Sequence, residues 1–179
     1  ECHWLDLLHL AERLAPSPAL LPADPAQRVE VLGLSALIAG VDGFGWQRRL
    51  QLLAPAMALA EPPISIQRMA GKYGWSEQAA AQAGERMQGI AALLDQRLAA
   101  QEATGKHWFV GDGVTAADFY WANFLGMVHP LPADVNPMPD YLRGMYSSGA
   151  QDSARWLTPR LLDHRERMYR EHIRLPLEF

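Results

Sequence analysis

The chain has 179 residues, 49% of them hydrophobic, and a net charge of −4 at pH 7, which fits one sizeable core better than two domains. Arg supplies 14 of the 16 basic residues, but the six from Arg155 to Arg174 alternate with Asp163, Glu166 and Glu171, so they read as a solvated face and exclude a nucleic-acid stripe. A single cysteine, Cys2, excludes an internal disulfide and a thiolate metal cluster, and no apolar run approaches the roughly 20 residues of a membrane span.

From the N-terminus, Trp4, Leu5, Leu7, Leu8, Leu10, Ala11 and Leu14 leave Asp6, Glu12 and Arg13 as the polar positions, the pattern of an amphipathic helix. Its apolar stripe is too wide to face water, so it must pack on the body or on a neighbour. Residues 16–25, PSPALLPADP, hold four prolines and are expected as a linker pinned by Leu20 and Leu21. Asp24 can cap the next helix and Pro25 open it, with Val29, Leu32 and Ala36 on one face and Val31, Leu34 and Ile38 beside them. Gly40, Gly43 and Gly45 predict a loop or kink, after which WQRRLQLLAPAMAL resumes helical spacing up to the Pro62-Pro63 break. Residues 64–73 predict a short helix. Ser76 caps a longer one, whose Ala83, Met87, Ile90, Leu94 and Leu98 form the most regular apolar stripe in the chain.

The strongest local signal is residues 111–124, GDGVTAADFYWANF. Thr115 and Asp118 have capping-box spacing, and Val114 and Phe119 have the spacing of a hydrophobic staple. The helix that follows is apolar nearly all round and is expected to be central and buried, with Thr115 and Asp118 acting in folding rather than chemistry. Prolines at 130, 132, 137 and 139 mark non-helical joints, and 141–147 can make a short helix. Thr158 caps and Pro159 opens the last helix, with Leu161, Leu162, Met168, Tyr169 and Ile173 facing inward. No segment alternates with period 2, so the expected fold class is all-α, a helical bundle.

Few residues point to chemistry. His164 and His172 are eight apart and His3 and His9 six apart, which does not aim two ligands at one metal, so no metal site is expected and the first two read as surface or capping histidines. No Gly-rich phosphate loop, nucleophile elbow or internal repeat is present, and no signal-peptide pattern opens the chain, so a cytoplasmic location is expected. The chain begins at Glu1 without an initiator Met, and residues are expected to have preceded it.

Three stretches together resemble glutathione transferases of the bacterial type. Glu1-Cys2 with a helix ending in LAERLAP and a Leu-Leu-Pro-x-Asp linker is similar to that family's domain junction. The Val-Gly-Asp and Thr-x-x-Asp motif resembles its all-helical C-terminal domain, and the terminal RLLDHRERMYREHIRLPLEF resembles its tail. The resemblance implies that residues 1–15 are the last helix of a truncated thioredoxin-like domain, 16–24 an interdomain linker, and 25–179 the C-terminal helical domain. Glu1 and Cys2 stand where the family's Glu-Ser pair holds the γ-glutamyl end of glutathione, and a carboxylate and a helix N-terminus suit an ammonium and a carboxylate respectively. Cys2 departs from the usual Ser, and a thiol at a helix start is also a candidate nucleophile. The family's activating Ser, Tyr or Cys lies near the start of the thioredoxin-like half, so the resemblance gives Cys2 a binding role. GFGWQRRLQLL also resembles bacterial members, which implies that Phe44, Trp46 and Arg49 line the electrophile pocket; the alternative makes Phe44 and Trp46 core or dimer contacts and Arg49 a surface charge.

The function so implied is conjugation of glutathione, as co-substrate, to a small hydrophobic electrophile, with no other cofactor, no nucleic acid or membrane partner, and a homodimeric state. The residue that lowers the thiol's pKa would lie upstream of Glu1, so the chain alone is expected to be inactive. The alternative is a non-catalytic binding or assembly module of the same architecture. A helical ligand-binding or dimerisation domain that shares only the cap motif is a third reading.

Overall fold

The computed structural model describes residues 3–177, so Glu1, Cys2 and the roles expected of them lie outside the described residues. Among the described residues there are nine helices and no strand: α1 (Trp4–Leu14), α2 (Pro25–Ala39), α3 (Phe44–Met57), α4 (Ile64–Tyr73), α5 (Glu77–Glu102), α6 (Ala116–Leu125), α7 (Asp140–Ser147), α8 (Ala150–Ser153) and α9 (Pro159–Glu171).

Local chemistry sets most of these boundaries. Asp24 accepts from Gln27 N–H at 2.9 Å, Ser76 from Ala79 N–H at 3.1 Å and Thr158 from Leu161 N–H at 3.3 Å, each filling one orphan donor of a first turn. Gly74, at φ 61°, closes α4 in the left-handed conformation. α3 runs through Pro55, which removes one helical donor, and ends at Met57, short of the Pro62-Pro63 break. α6 ends at Leu125, so Met127 and Val128 leave the helix through tight turns to Phe124 O and Leu125 O instead of continuing it.

α5 lies along α3 and reaches α9, while α6 sits between α2 and α9. The main core gathers Val31 and Ile38 of α2, Phe44 of α3, Met87, Leu94 and Leu98 of α5, Trp121 and Leu125 of α6, and Leu161 of α9. Each such side chain contributes roughly 1.5–3 kcal/mol on burial. Ile90, placed on the α5 stripe by its spacing, is only half-buried, and Ala91 is buried beside it. A smaller cluster forms where Ala122, Leu131, Met168 and Tyr169 meet Val114 and Phe119. α1 rests on the body through Leu8 and Trp4, and Glu12 accepts from Leu20 N–H at 2.8 Å to hold the linker against it.

Three expectations need correction. His164 is not a surface histidine: it is 2% exposed, and its Nε2 stands 3.0 Å from Asp118 Oδ1, off the line of a good hydrogen bond. Arg165 is likewise not on a solvated face, being 4% exposed and donating to His129 O at 2.6 Å. The stretch from Pro25 to Met57 does contain an 18-residue window of mean hydropathy 1.4, long and apolar enough to cross a membrane. Its apolar character serves the core, since 44% of that window is buried and the helix is broken between Ala39 and Phe44.

Candidate functional site

The structure separates the three residues expected to line one pocket. Phe44 is completely buried, with its ring edge-to-face against Trp121 at 5.2 Å and Trp156 at 6.0 Å, so it is core and lines no opening. Helical rotation then carries Trp46 and Arg49 to the partly open side of α3.

There an aromatic strip crosses four helices. Trp4 of α1 meets Tyr120 of α6 edge-to-face at 5.8 Å, Tyr120 meets Phe124 at 6.3 Å, and the Arg49 guanidinium lies over Phe124 at 5.6 Å and over Tyr73 of α4 at 5.4 Å. Tyr73 in turn meets Trp46 at 4.8 Å, and the Trp46 indole donates to Tyr73 O at 3.0 Å, pinning α4 onto α3. Gly45 allows this approach: a Cβ there would overlap the Phe124 ring. Arg49 donates to Gly45 O at 3.1 Å and has no carboxylate partner among the described residues, so its charge is held between two π faces.

Tyr120 brings one of the strip's two phenols, beside that of Tyr73. Burial pushes its phenol above the ordinary value, so at neutral pH it is a hydrogen-bond donor and not a base. Its hydroxyl reaches Trp4 O only at 3.5 Å, a weak partner that a ligand acceptor could replace. Tyr120, Phe124 and Tyr73 were not among the residues singled out from sequence. The signal was the i, i+4 spacing of Tyr120 and Phe124 with exposed Asn123 between them, which marks a sector of α6 that leaves the core.

Thr115 and Asp118 lie on the other side of α6, away from this strip. The Asp118 carboxylate, fully buried, accepts from Thr115 N–H at 2.7 Å, from the Thr115 hydroxyl at 2.7 Å and from Phe109 N–H at 3.0 Å. It therefore closes the helix start and ties the 103–115 loop to it. His172 is exposed, with its ring 5.1 Å from Trp108. Among the described residues no three His, Cys, Asp or Glu side chains converge as a metal site.

The fold is an all-helical domain with a buried, boxed helix start. The family model for the C-terminal domain of glutathione S-transferases matches residues 52–141, half of the chain, and the chain belongs to that family. The match runs from α3 through α5 and the capping box of α6 to the start of α7. The comparisons with curated proteins and with solved structures returned no match.

Proposed function

We propose that this chain is the C-terminal portion of a bacterial-type glutathione transferase, in which 1–15 is the last helix of the thioredoxin-like domain, 16–24 the linker and 25–179 the helical domain. The observation that carries the reading is the aromatic strip with its unpaired Arg49, which runs up to α1, whose Leu7, Leu10 and Leu14 are 51%, 41% and 76% exposed. A face so apolar needs covering, and a thioredoxin-like half seated on α1 would stand beside Tyr120, Phe124 and Arg49. In that arrangement Glu1 and Cys2 hold glutathione, the aromatic strip takes a small hydrophobic electrophile, and Arg49 and the Tyr120 hydroxyl stabilise negative charge that develops on it. The protein works in the cytoplasm as a homodimer.

The test is glutathione conjugation to an aryl halide by the natural full-length protein and by residues 1–179. We expect activity only in the former, a higher KM for the aryl halide in Phe124→Ala, a lower kcat in Arg49→Gln, and a higher KM for glutathione in Glu1→Ala. A full-length protein without activity would overturn this reading in favour of the binding or assembly module.

A further inference from the structure

On another sector of α3, about 100° round the helix from Arg49, Arg48 forms the floor of a cavity of about 640 Å³ between α3, α5 and the 148–156 segment. Arg48 is 4% exposed and has no ion-pair partner among the described residues. Its Nε donates to Met127 O at 2.9 Å, and Nη2 shares two hydrogens among Met145 O, Tyr146 O and Ser148 Oγ at 3.0, 3.1 and 3.3 Å. Nη1 also has two hydrogens but meets one protein acceptor, Gln51 Oε1 at 3.2 Å. The space beside it is kept open by Gly149, where an added Cβ would come within 3.0 Å of Nη1.

This buried guanidinium is held by neutral oxygens, carbonyl, amide and hydroxyl, with no carboxylate in contact, and burial holds its pKa below the ordinary arginine value, with Tyr146 and Asp152 opposing that shift. The cavity wall is mixed: Met57, Trp75, Met87, Val128 and Trp156 give it an apolar part, and Gln51, Gln88, Ser148 and Ser153 a polar one. Its volume lies within the roughly 300–1,000 Å³ of small-molecule sites. Glu77 and Asp152 stand at the exposed rim with Arg155, where water screens them but a second anion would still be disfavoured.

We propose that this cavity binds a small organic monocarboxylate with an apolar aryl or alkyl body, its carboxylate on Arg48 Nη1 and its body against the Trp and Met wall. It is separate from the aromatic strip, because none of Trp46, Arg49, Tyr73, Tyr120 and Phe124 lines it. The rim carboxylates disfavour di- and polyanions relative to a monocarboxylate.

The experiment is calorimetric titration of the protein with 3-phenylpropanoate, and with 3-phenylpropan-1-ol as the isosteric neutral probe. We expect the acid to bind at least about tenfold more tightly, as a charge-assisted bond requires. Ala81→Phe, at an exposed α5 position that lines the cavity, should abolish binding with an unchanged thermal midpoint, and Gly149→Ala should weaken it by crowding Nη1. Arg49→Gln should leave it intact. Equal affinity for acid and alcohol, undiminished binding to both cavity variants, loss of binding in Arg49→Gln, or no heat with the acid at concentrations on the order of 1 mM would each overturn the proposal.

Discussion

Replacing Asp118 by Ala tests the physical account of the α6 start most directly. In the native protein its carboxylate takes two buried backbone N–H groups, those of Thr115 and Phe109, besides the Thr115 hydroxyl and the close approach of His164. Alanine leaves both N–H groups without water or acceptor. Each orphaned donor costs about 1–3 kcal/mol, so the pair gives roughly 2–6 kcal/mol, a large share of a typical total of about 5–15 kcal/mol. Thr115→Ala removes only a hydroxyl whose partner keeps its other donors, and should cost about 1 kcal/mol. Asp118→Asn retains one oxygen but turns an amide N–H₂ toward one set of donors, so it should fall between the two. Urea unfolding followed by far-UV circular dichroism measures all three. An Asp118→Ala protein within about 1 kcal/mol of the native one would refute the reasoning, since the cost would then be that of an ordinary surface cap.

Other consequences follow from particular contacts. Gly45→Ala should cost about 1–3 kcal/mol by driving Phe124 off α3, and that cost should largely vanish in a Phe124→Ala background, a double-mutant cycle readable in urea midpoints. Burial, outweighing the opposing pull of Arg165, raises the pKa of Tyr169, whose hydroxyl donates to Ala122 O at 3.0 Å. The folded state therefore holds that proton more tightly than the unfolded one. Its contribution is complete below the unfolded value near pH 10 and is lost as pH climbs through the higher folded value. The native urea midpoint should fall above about pH 10 and fall less in Tyr169→Phe; equal slopes would contradict the assignment. Gly111, at φ 71°, should resist Ala by roughly 1–2 kcal/mol, and a thermal midpoint unchanged in Gly111→Ala would show that the loop relaxes freely.

Much of the architecture was legible one element at a time. Asp24, Ser76, Thr115 and Thr158 stand at helix starts because capping needs only a side chain and an N–H two or three residues on, a relation that sequence displays directly. The Ala83, Met87, Leu94 and Leu98 stripe was equally visible, since periodicity alone names the buried face of a long helix. Helical spacing also places Phe44, Trp46, Arg48 and Arg49 in different sectors of α3, but it cannot name the neighbour that each sector meets. Tertiary packing decided that. Phe44 entered the core against Trp121, Arg49 settled between Tyr73 and Phe124, and Arg48 found acceptors 79, 97 and 98 residues away. His164 was likewise buried beside Asp118, 46 positions earlier, an approach that only the packing of α9 on α6 creates. The sequence by itself determined where helices begin, where they break and which long stripe is apolar, because those depend on contacts within a few residues. Which charges are buried, which aromatics stay open and where the cavity lies depend on contacts between elements far apart in the chain, and only the folded structure decided them.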